Sequence, residues 1–179
     1  MSFTRMDQSQ KEDWLKIGVA HMPLQMQCPD TILNMLKQLE GITGGFGVTQ
    51  LHHALQTASM AKRGGASEEM VLGALCHDIG KVISVPNHGQ IASEILKPYV
   101  SEDVYWIIRT HQDFQGRHYF HHFDRDPNAR DKYKNEPWYA LAEQFTDEWD
   151  QAAFDPAYPV MPLSEFEPLV RKYFSKMAI

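Results

Sequence analysis

The chain has 179 residues, 43% of them hydrophobic, and a formal net charge of −6. That length fits one domain with a real core, and the composition excludes a disordered chain. An acidic balance with no Lys/Arg cluster argues against a nucleic-acid surface.

No run approaches the roughly 20 apolar residues that a membrane span requires. The polar stretch 1–10 has no apolar signal core. Cys28 and Cys76 stand far apart, without zinc-type spacing, and Cys76 sits in an apolar run as a small core residue. A soluble protein of a reducing cytoplasm is expected, with no nucleic-acid or membrane partner and an open oligomeric state.

Almost every strongly periodic segment is helical. An N-terminal extension over about residues 1–28 carries Trp14, Leu15 and Ile17, which can pack on the domain or on a partner. Asp30 is placed to cap a helix holding Ile32, Leu33, Leu36 and Leu39, with Gly41 as its end. After a Gly-rich loop, Thr49 caps a helix that runs to about Arg63, before Gly64-Gly65. Ser67 caps the next, with Glu68 and Glu69 in its favourable first turn. That helix delivers the pair His77-Asp78 and breaks at Gly80. Another runs from about His88 to Lys97 and stops at Pro98, and one from Ser101 ends near His111. Residues 112–136 read as a long polar and aromatic loop of the kind that is often functional. Pro137 opens a helix bearing Asp147 and Asp150. Pro156, Pro159 and Pro162 mark an extended link, and Ser164 with Glu167 forms a capping box for the last helix. No strand alternation or repeat stands out, so an all-α helical bundle is expected.

The run Leu75-Cys76-His77-Asp78-Ile79-Gly80-Lys81 is the most informative feature. Adjacent His and Asp side chains bind one metal only where the backbone turns both inward, and a helix end does so. Imidazole plus carboxylate suits zinc, manganese or iron rather than calcium. Other candidate ligands surround the pair: His53 upstream, His88 and His111 downstream, and a carboxylate from Asp147 or Asp150. Four His and two Asp can hold two metals with one carboxylate bridging. Helix phase alone does not separate His53 from His52. His21 reads as an ordinary surface or core-edge residue.

The order His53 … His77-Asp78 … Asp resembles the HD-domain superfamily, whose simple members are metal-dependent phosphohydrolases. The resemblance covers about residues 45–174 and implies a single HD domain over 1–179. It selects His53, which stands 24 positions before His77, over His52. With His88 and His111 added, the chain is similar to the binuclear subgroup. The segment Val48 to Gln56 and the tail Phe145 to Phe174, with Trp149-Asp150-Gln151, resemble the mixed-valent diiron oxygenases of that subgroup, such as inositol oxygenase and the hydroxyphosphonate-cleaving enzymes. In those enzymes an aromatic residue directly precedes the last metal-binding Asp. Trp149-Asp150 fits that pattern and Thr146-Asp147 does not, which leaves Asp147 as an acid behind the ligands on the same helical face.

What the resemblance implies is a pair of irons, Fe(II)/Fe(III), with other divalent metals as alternatives. One iron takes His53, His77, Asp78 and Asp150, and the other shares Asp78 and takes His88 and His111. A small hydroxylated substrate and O2 meet there, and a C–C or C–P bond is cleaved oxidatively. Lys81 is the candidate catalytic residue, placed to attract an anionic or oxygen-rich group.

The chain also departs from those enzymes. Phe154 stands where inositol oxygenase has a substrate-contacting Lys. Thr43-Gly44-Gly45-Phe46 lacks the Tyr and Glu gate of the hydroxyphosphonate enzymes, and Asp147 falls near the place of their Arg. Gln115, Arg117, His118, Tyr119, His121 and His122 are candidate pocket residues. The alternative activity is a phosphohydrolase acting on a nucleotide or phosphate ester, which would use the same ligands.

Overall fold

The computed structural model describes residues 3–176. Its described residues form eight α-helices and no strand, the all-α architecture expected. No helix among them is long and apolar enough to cross a membrane.

Helix α1 (Lys11–Met26) opens on a reciprocal cap, in which the Asp13 carboxylate accepts from the Gln10 backbone N–H at 3.0 Å. Helix α2 (Cys28–Gln38) starts three residues earlier than Asp30 as a cap suggested. Pro29, with its fixed φ, sits in the first turn, and Asp30 instead pairs with Arg171 at 2.9 Å. Helix α3 (Gln50–Arg63) is capped by Thr49, whose Oγ1 accepts from His52 N at 3.1 Å, and α4 (Glu68–Cys76) by Ser67, whose Oγ accepts from Met70 N at 3.2 Å. Helix α5 spans His88–Leu96, α6 Glu102–Tyr119, α7 Tyr139–Gln144 and α8 Leu163–Phe174. The core is one apolar cluster that includes Leu36, Leu39, Leu72, Leu75, Ile107, Phe114, Phe145 and Phe174. Around it α3 packs on α4, α5 on α6, and α8 on α2.

Three expectations are corrected. Helix α6 does not end near His111 but runs on to Tyr119. Ile107, Ile108, His111 and Phe114 are all buried, so the helical phase continues unbroken past His111. The polar residues that read as a loop occupy the other face. Beyond Tyr119 the chain makes tight turns at Phe120–Phe123 and Ala129–Tyr133.

Ser164 lies inside α8, which begins after Pro162 without a side-chain cap, so no capping box forms there. Helix α4 stops at Cys76, four residues before Gly80. Gly80 serves close approach instead: a Cβ there would lie 2.3 Å from the carbonyl oxygen of His88.

Candidate metal centre

Five elements bring the His-Asp pair and its neighbours together. At the end of α4, His77 keeps helical angles, and Asp78 turns to φ −102°, ψ 2° before a tight turn over Ile79–Val82. That bend points two consecutive side chains into one space. His53 projects from the first turn of α3, His88 is the first residue of α5, and His111 sits within α6. Asp150 ends a π-helical stretch, Phe145–Asp150, that continues α7. Its wider turn is closed by Gln151 N donating to Thr146 O at 3.0 Å. All six side chains are buried.

The histidine rings are fixed by their outer nitrogens. Nδ1 lies 2.9 Å from Ala153 O in His53 and 2.8 Å from Ala74 O in His77. It lies 2.7 Å from Val85 O in His88 and 2.7 Å from Ile108 O in His111. A carbonyl only accepts, so each Nδ1 carries the hydrogen and each Nε2 of a neutral ring presents a lone pair inward. Those lone pairs converge: Nε2 of His53 is 3.1 Å from Nε2 of His77, and Nε2 of His88 is 3.1 Å from Nε2 of His111. The outer carbonyls orient the rings as they do around metal-bound histidines.

The carboxylates complete two clusters. Asp150 Oδ1 lies 3.2 Å from His53 Nε2 and 3.4 Å from His77 Nε2. Asp78 divides its oxygens: Oδ2 is 3.4 Å from His77 and 3.6 Å from His53, and Oδ1 is 3.0 Å from His88 and 3.8 Å from His111. Asp78 Oδ1 and Asp150 Oδ1 are buried without a hydrogen-bond partner, as expected of oxygens that face lone pairs. His53, His77 and Asp150 bring ligand atoms within 4.8 Å of one another, and so do His77, Asp78 and His111. Nitrogen and carboxylate donors in such sets fit first-row transition metals.

The electrostatics agree with this donor set. Burial raises the cost of a charged carboxylate, yet the neighbouring His77 and Lys81 hold Asp78 well below the usual range. Burial likewise works against ionised Asp150, but His77 and His53 keep its pKa low. Burial disfavours an imidazolium at His77, but Asp78 and Asp150 prevail and push its pKa up to about 10. His111 goes down to about 4, through burial and the nearby His77 and His88. The thiol of Cys76 is pushed up to about 12 by burial and is inert.

A cavity of about 530 Å3 opens over the clusters, lined by His53 and His88, the polar Lys81, Gln112, Gln115, His118, Tyr119 and Gln151, and the apolar Phe46, Val85, Phe123 and Phe154. Lys81 reaches Asp78 Oδ2 at 2.5 Å and Gln50 Oε1 at 2.6 Å, so it is tied to a candidate ligand and also faces the cavity. Phe154 stacks on the His53 ring at 4.4 Å and on Phe46 at 4.6 Å.

The structure separates the residues that the sequence left in competition. His52 lies outside the cluster, its Nε2 3.4 Å from Asp155 O. His21 is exposed on α1. Asp147 does not share the face of Asp150: the π turn parts them, and Asp147 binds His118 at 2.9 Å and Arg130 at 3.0 Å. It backs none of the six clustered side chains.

Gln115 was one pocket candidate among several, and here its Nε2 donates to Asp150 Oδ2 at 2.7 Å. The continuation of α6 makes that contact, since it places Gln115 one turn beyond His111. Arg117 points to Asn128, and His121 and His122 are exposed, their rings tilted against each other at 3.9 Å.

The fold and the donor set together define an all-α protein with buried His/Asp groups that could hold metal. The HD-domain family model matches residues 51–154, and the chain belongs to that family, whose members are generally metal-dependent enzymes of hydrolase-like type. No curated protein sequence matches it.

Proposed function

We propose that this chain is a diiron oxygenase that uses O2 to cleave a C–C or C–P bond in a small hydroxylated substrate, anionic or zwitterionic. The observation that carries the reading is the division of Asp78. One oxygen faces His53, His77 and Asp150, and the other faces His88 and His111, which fits two metals with a shared carboxylate. The second set offers fewer protein donors, which leaves room for substrate and oxygen. When bound, the iron pair would supply a site for the substrate hydroxyl and the redox chemistry with O2.

The chain's own residues do the rest. Lys81 offers its ammonium group at the cavity wall and fixes Asp78. Gln115 holds one oxygen of Asp150, so that the other faces the histidines. Phe154, backed by Phe46, covers one face of the His53 ring. The Trp149-Asp150 pair and the segment around His53 add the resemblance to oxygenases.

The second reading is a phosphohydrolase, with a metal-bound hydroxide as nucleophile. The family match favours it. Against a nucleotide, Lys81 is the one Lys or Arg among the described lining residues, and it is already paired.

The test is metal analysis with low-temperature electron paramagnetic resonance, on protein purified without oxygen and then partially oxidised. About two irons per chain with a coupled Fe(II)/Fe(III) signal, followed by substrate-dependent oxygen consumption, is the expected result. Phosphate release supported by manganese or zinc, with no coupled iron signal, would replace it with the hydrolase.

A further inference from the structure

A second, smaller chamber of about 210 Å3 adjoins the metal cavity, and Gln112 and Tyr119 line both. Its other polar walls are Gln90, Arg109, Thr110, Asp113 and Arg125. We propose that this chamber is an oxyanion-binding subsite for the acidic end of the substrate, with the Arg125 guanidinium as its principal cation.

Three separate features place Arg125. Asp124 adopts φ +54°, the one left-handed non-glycine residue among those described. A residue other than glycine held there is uncommon, and such strain persists where the surrounding structure demands it. This turn sends Arg125 back so that its N–H donates to Phe120 O at 3.0 Å. The guanidinium then lies over the Phe120 ring at 3.7 Å from its centre. The ring has its own seat: a Cβ at residue 116 would lie 2.4 Å from Phe120 atoms, so only glycine admits it.

Stacking on a ring face occupies none of the guanidinium's five in-plane donors. No carboxylate pairs with Arg125 among the described residues, although the chain is acidic overall. The other charges at the chamber are already matched. Arg109 donates to Glu94 at 3.0 Å, and Asp113 takes Lys132 at 2.9 Å and Tyr133 Oη at 3.0 Å. Arg125 is therefore the unneutralised charge, and Gln90, Gln112 and the Tyr119 hydroxyl supply neutral partners for an oxyanion. Planar donors with side-chain amides suit a phosphate-like or carboxylate group.

The link to substrate rests on the metal cavity of the proposed function, but anion binding does not depend on which reaction occurs there. The probe is inorganic phosphate, added to the full chain with its metals bound. The readout is the guanidinium Nε–H NMR signals of Arg125 and Arg109, with sodium chloride at matched ionic strength as reference. Saturable shifts of both signals with phosphate, beyond those with chloride, are expected. Arg125→Met should weaken the response followed at Arg109 at least about tenfold, as loss of a charge-assisted hydrogen bond does. Arg125→Lys, which keeps the charge and loses the fork, should retain part of it. Shifts equal to those with chloride, or a response unchanged in Arg125→Met, would overturn the subsite. Phosphate captured by the metals alone leaves both signals in place, which overturns the subsite and leaves the proposed function standing. Persistent shifts in a protein that shows no coupled iron signal would do the reverse.

Discussion

Nε2 of His53 and Nε2 of His77 face each other at 3.1 Å, although each ring already donates its Nδ1 hydrogen to a backbone carbonyl. Two lone pairs at that distance repel unless a cation or a proton lies between them. Asp78 and Asp150 bring negative charge to the same point.

In chelator-stripped protein a proton takes that place, because the His77 pKa is raised from 6.5 to about 10. A group whose folded pKa is raised contributes stability that is full below its unfolded value and is lost as pH rises through the folded value. The melting temperature of the stripped chain should therefore fall as pH is raised from about 6.5 to 10, and the metal-loaded chain should not show that loss. Equal alkaline profiles for the two forms would place the proton elsewhere. Metal uptake at pH 8 should also release protons, seen as a calorimetric heat that varies with the ionisation enthalpy of the buffer.

Asp150→Asn should strip metal from the His53 and His77 set, and Asp147→Asn should leave metal content unchanged. His111→Ala should remove about one metal per chain with the fold intact. Gln115→Leu, which frees Asp150 Oδ2, should weaken metal binding by about 10–100-fold, as loss of a partner behind a ligand does. Elemental analysis after dialysis against a weak chelator reads all four. Metal loss in Asp147→Asn would reverse the assignment of the carboxylate.

Gly80→Ala should act on metal binding through the backbone. Its new methyl would meet the His88 carbonyl at 2.3 Å and force the start of α5 away from Asp78. Overpacking of this kind costs about 1–3 kcal/mol, read by urea unfolding. Metal at the His88 and His111 set should fall more than metal at the other set. A variant with wild-type stability and full metal content would show that the contact relaxes freely.

Lys81→Met separates two roles. If Lys81 engages substrate, metal content stays and turnover on any identified substrate falls sharply. Loss of metal together with activity would make the Lys81 contact to Asp78 structural.

Much of this was legible in the sequence because it is local. Thr49 and Ser67 cap their helices through contacts three residues long, and period and side-chain type suffice to see them. The clustering of His53, His77, Asp78, His88, His111 and Asp150 followed from a family pattern, since no local signal says which distant histidines converge. The continuation of α6 past His111 was hidden because Gln112, Gln115 and His118 are polar residues that face the metal cavity, and polarity next to aromatics imitates a loop. Asp30 and Ser164 looked like caps by residue type, but Pro29 and Pro162 set the helix starts. The chamber around Arg125 depends on a left-handed residue at Asp124 and on a ring seated against Gly116, neither of which leaves a periodic trace.

The π turn before Asp150 makes the last candidate ligand a matter of counting. Within an ordinary helix, positions 147 and 150 would lie on one side, and either carboxylate would be in range of the histidines. The wider loop of backbone acts as a phase shift that sends one acid inward and the other to Arg130. Point substitutions in Phe145–Asp150 leave that phase alone, whereas removal of one residue anywhere in the stretch would reset it and turn Trp149 and Asp150 off their present bearings. This part of the chain should therefore tolerate changes of spelling far better than changes of length.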